Sequence, residues 1–458
     1  LSRRYLPGSR AGGPGGAFAA DVAWHEVGHP TENLGGNSIC HKFMNAIRRV
    51  SQSSFFRGVI AIAGGTALAQ AVGVLLSPLL TRLYTPEAVG LWGLFMSFLG
   101  VTSVAATLRY EVAIVAAASE EDALVLTRSS LVLALLTSFL GALVLEFLRR
   151  KDLFGYGSLP AWASLLAFLA LLASAWGLVL RYYSVRKGAF GLVGRFTVTQ
   201  GIARPVAQVL FSFTGGGGLL LGDVTGRFLG LLSLWRILPS TSGLWLSPRV
   251  LVKFRSYPLV QLPSGVIDTF ALMALIPVFT ALYGPATGGH LALGQRVVGL
   301  PLNLIGAAIA DVFYSRASDL VRKCPKTLRS FLIVTAFRMA LVSVPLGLTL
   351  WFIAPRVVPW VFGSEWGETG EMVAALAPWF AAQLVVSPLS RIVFLSRYGW
   401  LKLPYDMLSV VVISSPLFFS FDNSVSALAV VSWAKTGQLG LYLLLIVLIT
   451  RPDCLLNN

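Results

Sequence analysis

Residues 161–181 read AWASLLAFLALLASAWGLVLR, a stretch in which only the last residue carries a charge. About 20 mostly apolar residues in a helix are enough to cross the hydrocarbon core of a bilayer. The chain contains eleven further apolar runs of similar length, at 58–80, 88–108, 124–148, 196–213, 216–238, 259–283, 288–311, 329–353, 371–395, 403–421 and 424–449. We therefore predict an all-α integral membrane protein with about twelve transmembrane helices.

The composition of the 458-residue chain agrees with this prediction. Apolar residues make up 55% of the chain and charged residues only 12%, about half the charged share of a typical soluble protein. A soluble core cannot bury so much apolar surface, which excludes an ordinary globular enzyme and also a disordered chain. The longest connection, 239–258, has about 20 residues and leaves no room for a catalytic domain. We therefore predict that the protein is not an enzyme.

The excess of basic over acidic residues gives the chain a formal net charge of +16. In membrane proteins, lysine and arginine concentrate in the cytoplasmic connections. With the N-terminus in the cytoplasm, the inside segments carry 22 basic residues and the outside segments carry 5. This alternation predicts that both termini are cytoplasmic. It also explains the charge without a nucleic-acid partner.

The N-terminal residues differ in composition from the rest of the chain. Residues 1–43 are rich in Gly, Pro, Ser and Arg and lack the apolar region of a signal peptide. We predict that 1–54 is disordered and interpret 1–43 as sequence upstream of a native start at Met44. The run HEVGH at 25–29 matches a zinc-protease pattern, but Gly28 and Pro30 disfavour the rigid helix that such a site needs. We predict no metal site and no cofactor.

An internal repeat appears when the chain is compared with itself at an offset of 199 residues. Eight identities then fall within 23 positions: Pro78, Thr81, Leu83, Tyr84, Pro86, Gly90, Leu94 and Gly100 match Pro277, Thr280, Leu282, Tyr283, Pro285, Gly289, Leu293 and Gly299. The offset covers six predicted helices, so the two halves enter the membrane in the same direction. We predict two parallel six-helix bundles, 55–245 and 246–450, followed by a short cytoplasmic tail, 451–458.

Several segments carry a family resemblance: SPLLTRLYTPE at 77–87, LRYEVAIV at 108–115, ALGQRVVGLP at 292–301 and FGSEW at 362–366. They resemble the flippases of bacterial polysaccharide biosynthesis, the O-antigen and capsule repeat-unit translocases of the multidrug/oligosaccharidyl-lipid/polysaccharide exporter superfamily. The resemblance extends over about 55–450.

The resemblance implies two bundles that form a V around a central cavity. It implies a flippase that carries a polyprenyl-diphosphate-linked oligosaccharide from the inner to the outer leaflet of the bacterial cytoplasmic membrane by alternating access, as in O-antigen and lipopolysaccharide synthesis. The expected partners are this lipid-linked oligosaccharide, membrane lipids and a coupling proton or sodium ion.

Four basic residues lie deep within predicted spans: Arg204, Arg296, Arg338 and Lys435. A charge near the bilayer centre costs several kcal/mol, so it is expected to face a cavity and to have a function. Guanidinium groups bind phosphate oxygens with two donors. We therefore predict that these four residues bind the substrate's diphosphate.

Structural alternatives remain for the other charges. Asp223 and Arg227 are spaced i, i+4 and could simply pair. Asp268 could pair with Lys435, or it could take up a coupling proton or sodium ion. Arg109 and Glu111 lie at the inner end of the second predicted span, where a gate and a structural salt bridge are equally consistent with the sequence.

Two other functions remain as alternatives. The first is a cation-coupled multidrug exporter of the same superfamily, which would favour a less basic cavity. The second is a membrane polysaccharide polymerase or ligase. Such an enzyme needs a large outer loop, whereas the longest predicted outer loop, 354–370, has about 17 residues.

Overall fold

The computed structural model describes residues 54–239, 246–323, 325–395 and 398–450. No strand occurs in these ranges. The predictions made for 1–53, including the HEVGH motif and the start at Met44, lie outside the described residues, as does the predicted tail 451–458.

The described residues form helices along almost their whole length. In chain order the α-helices are α1 Ser54–Leu75, α2 Ser77–Leu83, α3 Pro86–Ala105, α4 Tyr110–Ala116, α5 Glu120–Arg150, α6 Ala163–Arg186, α7 Phe190–Leu210, α8 Gly217–Leu232, α9 Pro248–Lys253, α10 Leu262–Met273, α11 Leu275–Tyr283, α12 Pro285–Gly294, α13 Leu300–Lys323, α14 Pro325–Phe362, α15 Gly367–Ser390, α16 Lys402–Ser414 and α17 Ser424–Ile449. Single π-helical turns, Tyr257–Gln261 and Gln295–Gly299, precede α10 and α13.

Local sequence signals set several of the helix starts. The Thr85 side chain accepts a hydrogen bond from the backbone N–H of Ala88, and Pro86 occupies the first position of α3. Ser119 caps α5 in the same way, through the N–H of Asp122 at 3.0 Å. These caps satisfy backbone donors that a helix start leaves unpaired.

Seven helical stretches within the described residues are long and apolar enough to cross a membrane: Ala63–Leu83, Pro86–Ala105, Glu120–Arg150, Ala163–Arg186, Thr327–Phe362, Ser364–Val393 and Ser424–Ile449. The pair Tyr257–Met273 and Leu275–Tyr283, bent by 43°, adds an eighth if it forms one broken span. The predicted count of twelve is therefore not confirmed. The predicted span 288–311, for example, falls on two helices that the π turn Gln295–Gly299 separates.

Large apolar side chains remain exposed on the outside of the helices. Phe139, Leu140 and Phe147 on α5 are each more than half exposed, as are Leu441 and Leu444 on α17. A soluble protein does not leave so much apolar surface in water, whereas a bilayer covers it. The fold is thus an all-α integral membrane protein. Its division into bundles at 245/246 stays a prediction.

A close backbone contact joins the two repeat-related helices α3 and α12. A Cβ on Gly90 would overlap the carbonyl oxygen of Pro285, and a Cβ on Gly289 would overlap that of Pro86. Gly90 and Gly289 are partners in the 199-residue repeat, as are the two prolines. The repeat found in the sequence therefore marks a near-symmetric contact in which two backbones touch because neither glycine has a side chain.

Candidate functional site

A cavity of about 850 Å³ lies between helices from both halves of the sequence. Its lining comes from α1, α3, α7, α10, α11, α12, α15, α16 and α17, together with the π turn Gln295–Gly299. Gly93 on α3 and Ala292 on α12 both line the cavity and pack against each other, one helical turn from the contact of Gly90 with Gly289. The contact of Gly90 with Gly289 therefore closes the cavity between α3 and α12, on the side of the 84–86 and 283–285 turns.

An arginine cluster, Arg204, Asp223, Arg227 and Arg296, lies on one side of the cavity. Asp223 is fully buried. Its Oδ1 accepts a hydrogen bond from Arg204 Nε at 2.7 Å, and its Oδ2 accepts one from Arg227 Nε at 2.6 Å. The Asp223–Arg227 pair that the i, i+4 spacing suggested is thus present, and Arg204 joins it from a neighbouring helix.

Glycines on α8 make this arrangement possible. A Cβ on Gly226 would overlap the backbone of Arg204, and one on Gly222 would overlap that of Gln208. Because α7 and α8 approach so closely, Arg204 reaches Asp223 while its side chain stays 28% exposed to the cavity.

Arg296 has a different environment. Its Nη2 donates to the carbonyl oxygen of Gly73 at 3.2 Å, and its guanidinium lies 5.2 Å from the ring centroid of Trp92. No carboxylate of the described residues lies within ion-pair distance of it. The arginine cluster contains three arginines and one aspartate, so it carries two net positive charges.

Two polar atoms beside the arginine cluster have no hydrogen-bond partner among the described residues: Gln70 Oε1 and Trp92 Nε1. Both side chains line the cavity. A buried polar atom without a partner costs about 1–3 kcal/mol. One buried acceptor and one buried donor beside the arginines are therefore unpaired among the described residues.

A lysine cluster, Asp268, Lys402, Asp406 and Lys435, lines the cavity on α10, α16 and α17. Lys402 Nζ donates to Asp268 Oδ1 at 2.9 Å and to Asp406 Oδ2 at 2.6 Å. Two lysines balance two aspartates, so this cluster is neutral overall.

Neutral groups hold Lys435 in place. Its Nζ donates to Ser409 Oγ at 2.9 Å and to Gln438 Oε1 at 3.0 Å. It also lies 5.6 Å from the ring centroid of Trp379 and 5.7 Å from that of Tyr405. The suggested pairing of Lys435 with Asp268 is absent from the structure, because Asp268 pairs with Lys402.

The sequence interpretation missed Lys402. Lys402 directly precedes the predicted span 403–421, so it was not counted among the charges inside the membrane. The available signal was the i, i+4 spacing of Lys402 and Asp406, which places both on one helix face.

The structure separates Arg338 from the other three predicted substrate-binding residues. Arg338 is exposed on α14 beside the exposed side chains of Phe337 and Leu341, and it does not line the cavity. The prediction was based on depth in the membrane, and depth does not determine which side of a helix faces inward. We therefore correct the placement of Arg338, whereas Arg204, Arg296 and Lys435 do line the cavity.

Arg109 and Glu111 lie between α3 and α5, away from the cavity lining. Arg109 has a left-handed backbone conformation, with φ of 64°, and its Nη1 lies 3.9 Å from Glu111 Oε1. Burial raises the pKa of the Glu111 carboxyl, while a hydrogen bond from Thr107 and the charge of Arg109 act in the opposite direction. The Arg109 guanidinium also packs against Gly265 on α10. The structure contains the salt bridge, and a gating role stays a prediction.

The sequence of this chain matches one known protein family. A sequence family described as "Polysaccharide biosynthesis protein" matches residues 79–371. No curated protein matches the chain significantly.

Solved structures of membrane transporters are similar in fold. The lipid II flippase MurJ in an inward closed conformation aligns with a TM-score of 0.65 at 16% identity, over 84% of this chain and 87% of that chain. An inward-facing multidrug resistance MATE family transporter of the MOP superfamily has a TM-score of 0.55 at 14% identity, over 88% and 98%. A MOP superfamily transporter from Pyrococcus furiosus has a TM-score of 0.54 at 13% identity, over 86% and 95%. These likenesses confirm the predicted fold class.

Proposed function

The chain belongs to the Polysaccharide biosynthesis protein family, and from this membership we propose that it is a flippase for polyprenyl-diphosphate-linked oligosaccharides. It moves these repeat units from the inner to the outer leaflet of the bacterial cytoplasmic membrane by alternating access, for surface polysaccharide synthesis. Both termini are cytoplasmic in this proposal, and the transported molecule leaves chemically unchanged.

Arg296 is the observation that carries the proposal. It is a cavity-lining guanidinium whose own contacts, a carbonyl oxygen and an aromatic face, leave its charge uncompensated. An anionic guest would supply the missing charge. Together with Arg204, Arg296 offers paired donors to the oxygens of a diphosphate, and the buried Trp92 Nε1 beside it has no hydrogen-bond partner among the described residues.

The shape of the site supports the same substrate. A cavity of about 850 Å³ is large enough for a diphosphate and several sugar units, since sites for drug-sized ligands occupy about 300–1,000 Å³. The lipid tail stays in the bilayer. The closed end at Gly90 and Gly289 corresponds to a state that admits substrate from the opposite, inner side.

A cation-coupled drug exporter fits the site less well. Such an exporter needs carboxylates that are free to exchange a proton for a cationic drug. In this cavity, Lys402 forms salt bridges with both Asp268 and Asp406, while Asp223 forms salt bridges with two arginines. A coupling ion at Asp268 remains a prediction.

The Arg296→Ala variant tests the proposal. It should reach wild-type abundance in the membrane, because no carboxylate is left unpaired when the guanidinium is removed. Its flipping activity should fall by about tenfold or more, the effect of losing a charge-assisted hydrogen-bond pair. Arg296→Lys keeps the charge but loses the planar two-donor geometry, so its flipping activity should lie between those of the wild type and Arg296→Ala.

The measurement is the amount of lipid-linked repeat unit that accumulates on the inner leaflet of cells whose only copy is the variant, normalised to protein abundance. Arg356→Ala serves as the matched control, because Arg356 is exposed on α14 and lies outside the cavity. Wild-type flipping by Arg296→Ala would contradict the proposal, and so would a loss of Arg296→Ala protein that accounts for the whole defect.

A further inference from the structure

The geometry points to an uncharged oligosaccharide as the cargo, with Asp268 as the residue that discriminates against acidic sugars. This inference rests on the proposed function, because it assumes that a diphosphate occupies the arginine cluster. It adds the class of sugar that the rest of the cavity accepts.

The charges of the cavity divide into two parts. The arginine cluster carries two net positive charges, which equal the two negative charges of a diphosphate esterified at both ends. The lysine cluster is neutral, because Lys402 and Lys435 balance Asp268 and Asp406. Once the diphosphate is bound, the described part of the cavity has no net positive charge left to offset a sugar carboxylate.

Neither lysine adds a net positive charge for a sugar acid. Lys402 bridges two carboxylates, so its single positive charge is already more than balanced and does not offset the charge of a third. Lys435 is buried, with two of its N–H groups directed to Ser409 and Gln438. An additional buried carboxylate would therefore be poorly paired, which is strongly unfavourable in a site of low dielectric constant.

Asp268 is the carboxylate that a sugar would meet. Its side chain is 49% exposed, whereas that of Asp406 is 3% exposed. Lys402 contacts Asp268 through Oδ1, and no described residue donates a hydrogen bond to Oδ2. Oδ2 can therefore accept a hydrogen bond from a sugar hydroxyl. The same oxygen would repel a sugar carboxylate, and like-charge contacts of this kind exclude wrong partners.

Neighbouring groups suit hydroxyls rather than charges. Gln383 and Ser387 line the cavity from α15, next to the lysine cluster on α16 and α17. Amides and hydroxyls both donate and accept, so they match sugar hydroxyls without adding charge.

Two synthetic ligands test the inference with the purified full chain. Both are polyprenyl-diphosphate disaccharides, and they differ only at C6 of the terminal sugar, which is a hydroxymethyl group in one and a carboxylate in the other. Equilibrium affinities are measured for the wild type, Asp268→Asn and the matched control Asp422→Asn, whose native aspartate is exposed and outside the cavity. A third ligand carries the neutral disaccharide on the same polyprenol without the diphosphate.

The wild type and Asp422→Asn should bind the neutral ligand about tenfold or more tightly than the acidic one. Asp268→Asn should reduce this ratio by strengthening binding of the acidic ligand. Equal affinities in the wild type, a preference for the acidic ligand, or an unchanged ratio in a folded Asp268→Asn would overturn the inference. If Asp268→Asn does not fold, the ratio of the wild type's affinities for the neutral and the acidic ligand tests the inference alone. Equal binding of the third ligand would instead refute the proposed function.

Discussion

Replacing Asp223 with alanine should remove most of the protein from the membrane. Asp223 is fully buried and accepts hydrogen bonds from both Arg204 and Arg227. Without it, the guanidinium of Arg227 is left nearly buried with no counter-charge. Breaking a buried ion pair by removing one partner costs about 3–5 kcal/mol, which is a large part of the stability of a typical domain. The measurement is membrane abundance relative to the wild type.

A second substitution provides the decisive comparison. Asp223→Ala combined with Arg227→Leu should recover abundance, because it removes the charge that the single variant leaves unpaired. Arg204 is partly exposed to the cavity and can be hydrated there. The control Asp422→Ala, at an exposed aspartate, should be as abundant as the wild type. Normal abundance of the single variant would show that Asp223 does not stabilise the fold.

Replacing Gly289 with alanine should prevent the contact between α3 and α12 and abolish transport. The added Cβ would overlap the carbonyl oxygen of Pro86, a backbone atom that cannot turn aside as a flexible side chain could. The two helices would have to separate, and the end of the cavity that they close would open. Gly90→Ala should act in the same way through Pro285.

Thiol accessibility measures this opening. Ser97 lines the cavity on α3, and Ser97→Cys is introduced after the three native cysteines are replaced. A membrane-impermeant thiol reagent added to intact cells should label Cys at this position in Gly289→Ala far more than in the otherwise wild-type chain. Gly437→Ala is the matched control, because no atom lies within 4 Å of a Cβ built there. Equal labelling in all three chains would show that the glycine contact does not close the outer end.

The sequence predicts the class of fold well because apolar runs follow directly from the demands of a bilayer. The 199-residue repeat predicts more than symmetry, since Gly90 and Gly289 meet in the structure. The number of spans is harder to predict, because π turns and internal charges interrupt apolar runs. The structure has two helices here, Tyr257–Met273 and Leu275–Tyr283, with a bend of 43° between them. The hydropathy of the sequence shows only one continuous apolar run over the same region.

The site could be predicted in part. Depth in the membrane identified Arg204, Arg296 and Lys435, which line the cavity, but it also selected Arg338, which is exposed and does not line it. The hydrogen bond between Arg204 and Asp223 joins two different helices, so no i, i+4 spacing within one helix predicts it. Lys402 was missed because the predicted apolar run begins just after it. In the structure Lys402 is the first residue of α16 and lines the cavity.

Transport by the purified protein tests the central claim most directly. The protein is reconstituted into vesicles with a fluorescent polyprenyl-diphosphate oligosaccharide in both leaflets, and a membrane-impermeant glycosidase then digests whatever reaches the outer surface. With the wild type, almost all of the oligosaccharide should become accessible, whereas in Arg296→Ala vesicles the inner-leaflet share should become accessible about tenfold or more slowly, and in protein-free vesicles it stays protected. Protection that is equal in wild-type and protein-free vesicles would contradict the account.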